Sequence, residues 1–366
     1  MNPKIKKILL FAFFTRLIIL FLPWLTNTLI LPENTHLSFI EFTQTSWNRW
    51  DAPHYLYLAT NGYTNVGDEA NFIVFFPLYP LLLKPLIFLI GHPALTGMFA
   101  STVFYILGCY FLYKLVSFDY SEKIAGWTVI SISIFPTSFF FNSPYTESLF
   151  LLTFCMSLYA ARKSQWGLAG MASGLATITR PFGFLILVAV LIEWLADKKR
   201  QIKYLPAIIL PTIISGISYL YINYLVFKNP FKFQEILATN WQKQFTSPFV
   251  GILDSWNIAF TSGLTNFGIF VGWGEAITIT ASWILVPFVF KYLRKSWAVF
   301  YTLSLIMFSS TSFILSTPRY LLSIPTFFVL VALAQKNYLF RMVWTFFSIG
   351  LLFCLCAIFT AGQWAF

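Results

Sequence analysis

Apolar runs recur from end to end of the chain, near positions 5–25, 72–90, 94–113, 124–141, 145–161, 165–180, 181–196, 204–227, 266–290, 297–316, 320–335 and 340–362. A helix that crosses a bilayer needs roughly 20 such residues. The pattern therefore predicts an all-α polytopic membrane protein, one integral-membrane domain over 1–366 with about 11 to 13 transmembrane helices. Two polar stretches, 32–71 and 228–265, interrupt it. The paired runs between 165 and 196 leave only about 16 residues per crossing, short for a full span, so half-helices or a break are expected there. The segment holding Pro77, Pro80, Lys84 and Pro85 is expected to lie in the interface or to re-enter, because prolines interrupt helical hydrogen bonding.

Composition agrees with this pattern. The 366 residues are 58% hydrophobic and 10% charged, against about 25% charged in a soluble domain. The net charge of +11 does not mark a nucleic-acid partner, because the basic residues gather neither on one face nor in one tail. They sit at segment ends, where cytoplasmic loops collect Lys and Arg. On that rule Lys4, Lys6, Lys7, Lys114, Lys123, Arg162, Lys163, Lys198, Lys199, Arg200, Lys203, Lys291, Arg294, Lys295, Lys336 and Arg341 face inward. The expectation is a multi-pass protein of the plasma (inner) membrane with a cytoplasmic N-terminus. The first apolar run resembles a signal peptide but lacks a small-x-small cleavage site, which predicts an uncleaved first helix. Cys109, Cys155, Cys354 and Cys356 fall inside apolar runs, and His36, His54 and His92 are scattered; neither pattern has metal-ligand spacing or predicts disulfides. No metal and no cofactor are expected. A Walker loop and a Gly-x-Gly-x-x-Gly after a strand are both missing.

With the basic loops inside, Asp51, the Asn142-Ser143-Pro144-Tyr145-Thr146-Glu147 turn, Arg180, the 228–265 loop and Arg319 emerge on the opposite, extracytoplasmic face. An ionisable group at the centre of a membrane helix costs about 2.5 to 3.5 kcal/mol on insertion scales, so a set gathered at one end points to a site. Asp51, ahead of Ala52-Pro53, reads as the N-cap of an interfacial helix. It also reads as a general base, a task suited to a carboxylate partly desolvated between Trp47 and Trp50. His54, three residues on, shares its helix face. Arg180 and Arg319 each adjoin a proline and are suited to bidentate phosphate contact, with snorkelling to headgroups as the plainer account. Glu147 follows Pro144 in a first helical turn, where a carboxylate also complements the dipole. Glu275 lies deeper and has no assigned role. Gly170 and Gly174 have the spacing of close helix packing. In the 228–265 loop, Trp241, Gln242 and Trp256 are candidates for sugar contacts.

The motifs Trp50-Asp51-Ala52, His54-Tyr55, Gly62-Tyr63, Phe75-Phe76-Pro77-Leu78-Tyr79-Pro80, Pro144-Tyr145-Thr146-Glu147-Ser148-Leu149-Phe150, Thr179-Arg180-Pro181-Phe182-Gly183 and Pro318-Arg319-Tyr320 occur in this order. In order and spacing they resemble the PIG-V family of GPI mannosyltransferases and its bacterial relatives. The resemblance implies a GT-C bundle whose first extracytoplasmic loop carries a catalytic Asp, here Asp51. It also implies a polyprenyl-phosphate sugar donor, typically mannose, and a glycan, glycolipid or other hydroxyl acceptor. Substrate contacts are expected from Trp50, His54, Tyr145, Glu147, Arg180, Arg319 and Tyr320, with membrane lipids around the bundle. Eukaryotic members act on a GPI precursor, whereas the short cytoplasmic loops here look bacterial. A lipid or solute transporter is the alternative from another class, with Glu275 and the 165–196 pair as its pathway. A non-catalytic lipid-binding subunit is a third, and it predicts that Asp51 is dispensable.

Overall fold

Helix ends in this chain fall where prolines, caps and polar turns interrupt the apolar runs. The computed structural model describes residues 3–30 and 37–366. His36 and the 32–36 start of the first polar loop lie outside the described residues. Among the described residues the structure is helical, with one isolated antiparallel bridge between Phe245 and Thr311. Among the described residues five helices are long and apolar enough to cross a membrane: Pro3–Thr26, Pro93–Asp119, Ile202–Phe227, Gly268–Tyr292 and Tyr338–Thr360. Counting two broken pairs as spans gives up to 7, fewer than the pattern of apolar runs predicts. The difference lies in runs that fold as shorter helices. Glu122–Ser133 has 12 residues, Glu147–Arg162 has 16, Trp166–Thr177 has 12 and Leu185–Ala196 has 12. The 147–162 helix is buried along nearly its whole length. A helix apolar all round and enclosed by protein does not need membrane length.

Contacts group the chain into two compact units, where the sequence reads as one domain. The first holds residues 1–62, 78–155 and 331–365, and the second holds 63–77, 156–330 and 366.

In the first unit, the Pro3–Ile30, Pro93–Asp119 and Glu122–Ser133 helices pack on one another. The last of these stops at Ser133, and the chain resumes in a short 3-10 turn, Ser138–Phe141. A break of this kind in an apolar setting exposes carbonyls with no water to satisfy them. Arg16, 1% exposed, fills the gap. Its guanidinium donates to the Ser133 and Ser138 carbonyls and to Asn142 Oδ1 at 3.3 Å. Asn142 Nδ2 returns a bond to the Arg16 carbonyl at 2.9 Å, and Tyr105 lies under the charge at 4.7 Å. The fork of donors explains the choice of Arg over Lys, whose ammonium is a point charge. Arg16→Leu should destabilise the fold by about 2 to 5 kcal/mol, because it strands two buried carbonyls. Arg16→Lys should recover only part of that, which thermal unfolding in detergent measures. Below the break, Phe139 and Phe140 pack on Phe359 at 5.1 and 5.4 Å. Between lipid-embedded helices such packing is dispersion, not exclusion of water.

In the second unit, Trp166–Thr177 lies against Leu205–Phe227. The expected small-residue contact is present. A Cβ at Gly170 would run into the backbone of Ala207 and Ile208, and one at Gly174 into that of Pro211. Ser173 and Thr212 hydroxyls join the two helices at 3.0 Å. At one end of this unit Arg294 grips Glu193 with two bonds, Nε at 2.9 Å and Nη2 at 2.8 Å, while Ser296 donates to the same carboxylate. A cleft of about 310 Å³ there is lined by Arg162, Lys198, Lys199 and Arg294 among others. These four residues, assigned to one side of the membrane from their positions in the chain, are thus gathered together.

Candidate functional site

Asp51 opens a helix, Asp51–Asn61, at its first residue, and the N-cap position predicted for it is taken by Trp50. Trp50 has φ 53° and ψ −110°, a left-handed conformation that a bulky side chain enters only under constraint. Tyr145 supplies that constraint. Its ring is fully buried, and its hydroxyl donates to the Arg49 carbonyl at 2.8 Å and accepts from the Asp51 amide at 3.2 Å. The Arg49 carbonyl also accepts from the Ala52 amide at 3.0 Å. One phenol thus fixes the residues on both sides of Trp50 and sets the direction in which the Asp51 carboxylate leaves the backbone. Pro144 is seated against Gly97, where a Cβ would meet the proline ring, and the Gly97 carbonyl accepts from Tyr79 at 3.1 Å. The Pro-Tyr-Thr-Glu motif is therefore the support of the Asp51 turn.

The first unit also holds Trp47, Trp50, His54 and Glu147. Trp50 is 39% exposed, with its indole edge-on to Trp364 at 5.0 Å. Trp47 is fully buried and packs on Phe359 at 6.0 Å, so it serves the core. Glu147 is fully buried at the first residue of the Glu147–Arg162 helix. His54 sits on the Asp51–Asn61 helix, where burial lowers its pKa while the Asp51 charge opposes the shift. The sign follows directly. A histidine held neutral contributes stability above its ordinary value of about 6.5, and that contribution is lost as pH falls through and below it. The thermal midpoint should therefore decline between pH 7 and pH 5 in the native protein and decline less in His54→Gln, as scanning fluorimetry at each pH would read.

The second unit gathers the cationic residues. Arg180 and Arg319 are each 6% exposed. Arg180 donates to Ser323 Oγ at 3.2 Å, and its Cζ lies 5.4 Å from the Tyr320 ring and 5.2 Å from Phe182. Arg319 lies 6.0 Å from the Tyr320 ring. Lys243, which the pattern of motifs does not single out, joins them: its ammonium donates to the Tyr320 hydroxyl at 3.3 Å and stands 5.4 Å from the ring. It arrives there because the 242–246 stretch is stitched to 310–312. Thr246 donates to the Ser310 carbonyl at 3.0 Å and Ser312 to the Gln244 carbonyl at 2.8 Å. Three cations around one tyrosine make a locally positive cluster, of the kind able to form charge-assisted hydrogen bonds to an anion. Of the loop aromatics, Trp241 packs edge-on to Phe75 at 5.6 Å, and Trp256 donates to Thr280 at 3.1 Å. Both have structural partners within the unit. Phe76 likewise stacks on Tyr219 at 4.1 Å. Among the described residues no group of three or more His, Cys, Asp or Glu side chains is placed to hold a metal ion, and the four cysteines are free thiols.

The family model described as dolichyl-phosphate-mannose-protein mannosyltransferase matches residues 76–220. GPI mannosyltransferase 2 of Schizosaccharomyces pombe is 33% identical over 142 residues, which is 38% of this chain and 30% of that protein. GPI alpha-1,6-mannosyltransferase 2 of Mus musculus is 28% identical over 220 residues, 51% of this chain and 42% of that protein. In fold, the chain is similar to ArnT from Cupriavidus metallidurans in its crystal structure bound to undecaprenyl phosphate. The TM-score is 0.51 at 15% identity, covering 90% of this chain and 60% of ArnT. The chain thus spans between 30% and 42% of the length of these curated relatives.

Proposed function

We propose that this chain is a PIG-V-like membrane mannosyltransferase of the GT-C type that draws on a polyprenyl-phosphate-linked sugar, a reading supported by its likeness to the mannosyltransferase family model and to the GPI mannosyltransferases, and by its similarity in fold to ArnT. Asp51 is the general base. Its carboxylate takes the proton of an acceptor hydroxyl, and the acceptor oxygen forms a bond to the anomeric carbon. The bond from that carbon to the phosphate oxygen breaks, and the polyprenyl phosphate leaves with the electron pair. A direct displacement of this kind inverts the anomeric centre. Arg180, Arg319 and Lys243 are assigned to the phosphate, where electrostatic stabilisation of developing charge is a large contribution in a water-poor setting. The reaction face is extracytoplasmic, and the acceptor is a glycan, glycolipid or other hydroxyl compound.

The observation that carries this reading is the Asp51 turn: an acid at a helix start whose backbone amide is held by a buried phenol and which is preceded by a strained tryptophan. Backbone held in a costly conformation beside an acid is expected where geometry matters more than stability. The lipid-linked donor is supported by the resemblance and by the undecaprenyl phosphate bound to ArnT. A test that separates transfer from transport uses proteoliposomes containing the purified protein and radiolabelled polyprenyl-phosphate mannose, with membrane extract as acceptor. The proposal expects label to leave the lipid and enter a new glycoside. Movement of intact labelled lipid between leaflets, with no glycoside formed, would favour the transporter.

A further inference from the structure

Glu275 is the buried acid that the proposed mechanism leaves unused. It is 0% exposed and lies inside the apolar Gly268–Tyr292 segment, a setting in which a carboxylate is costly unless hydrogen bonds compensate it. Two such bonds exist, and both go to one place. Oε1 accepts from the Ser316 amide at 2.6 Å and Oε2 from the Thr317 amide at 2.7 Å. Charged acceptors on backbone amides make strong, short bonds. Ser316 has φ 72° and ψ 28°, a left-handed conformation unfavourable for a residue with a side chain and sustained here by its surroundings. The residues that follow are Thr317-Pro318-Arg319-Tyr320, a single helical turn. Pro318 has no amide proton to offer, so the two amides held by Glu275 are the last donors before Arg319. The acid approaches from the end of a π-helical stretch, Gly268–Gly274, a conformation found mostly as isolated bulges, frequently at functional sites.

We propose that Glu275 is a positioning residue: its carboxylate clamps the Ser316 and Thr317 amides, fixes the turn, and so orients Arg319 and Tyr320 for the phosphate of the lipid-linked donor. This inference rests on the assignment of Arg319 to the donor phosphate. Gln cannot replace Glu here, since its amide nitrogen would face one of the two N–H groups as a second donor. Asp keeps the charge but is one methylene too short to reach both amides in the same pose.

Binding of undecaprenyl phosphate to the purified full-length protein in nanodiscs gives a readout independent of turnover, alongside KM and kcat for the labelled donor. Glu275→Gln should raise the Kd and the donor KM about tenfold, and Glu275→Asp should fall between it and the native protein. In an Arg319→Ala background both substitutions should weaken binding much less, because contacts that act through one another are not additive. A purely structural role would give equal losses with and without Arg319. Equal losses, or an unchanged Kd in either folded Glu275 variant, would overturn the positioning role while leaving the donor-phosphate reading intact. An Arg319→Ala variant that binds undecaprenyl phosphate as the native protein does would overturn that reading, and this inference with it. If Glu275→Gln does not fold, as judged by its thermal midpoint, Glu275→Asp carries the same comparison.

Discussion

Asp51→Asn should lower kcat for transfer from a polyprenyl-phosphate sugar by about 10² to 10⁴, the range that a general base contributes, while leaving donor KM within about twofold. The substitution isolates the chemistry well. Asn has nearly the same shape, and the bonds that hold the turn use the Asp51 amide, the Arg49 carbonyl and the Tyr145 hydroxyl, none of which changes. Among the structural losses is the favourable interaction of a carboxylate with the helix N-terminus, about 0.3 to 1 kcal/mol. Tyr145→Phe provides the complementary case. It keeps the buried ring but removes both bonds to the turn, so the base remains present and is aimed less well, and its loss in kcat should be the smaller of the two. A full loss in Tyr145→Phe with little loss in Asp51→Asn would reverse the roles of support and base.

Arg319→Ala should lower kcat for the same reaction by about 10² to 10³, equivalent to the roughly 2.7 to 4 kcal/mol lost with one preorganised donor to a developing charge, and should also raise donor KM. The side chain is 6% exposed, so water does not readily take its place. Arg319→Lys should restore charge but not the planar fork, and should recover only part of the rate. Lys243→Ala should have the smaller effect, because its ammonium is held in part by the Tyr320 hydroxyl and Arg180 and Arg319 remain beside the same ring. A Lys243 effect larger than that of Arg319 would mean the cluster is centred differently.

Much of this architecture is legible in the sequence, and the reasons for the rest are physical. The long spans at 3–30, 93–119, 205–227 and 338–360 lie close to the apolar runs, because a helix exposed to lipid must be apolar over its length. The runs between 122 and 196 fold as helices of 12 to 16 residues, the 147–162 helix almost wholly buried, and apolarity does not distinguish a lipid-facing residue from a buried one. Asp51 is legible because its motif is local, with acid, proline and indoles adjacent in the chain. Tyr145 is visible as part of a motif, but its bond to a backbone 94 residues earlier leaves no trace in either segment. Lys243 is missed for the same reason; its place beside Tyr320 depends on pairing between 242–246 and 310–312. Arg16 reads as one more cation in an apolar run, and only the helix break at Ser133 explains it. Glu275 stands out as an acid in an apolar segment, yet its role becomes visible only with the two amides it holds.

The measurement closest to the central claim follows the anomeric carbon. Polyprenyl-phosphate mannose labelled with carbon-13 at C1 would be given to the purified protein in nanodiscs with a lipid and glycan acceptor fraction, and the product read by NMR. The account predicts a new glycoside of the anomeric configuration opposite to that of the donor, formed one for one with free polyprenyl phosphate, and almost none from Asp51→Asn. A product with retained configuration, or equal turnover by Asp51→Asn, would contradict it.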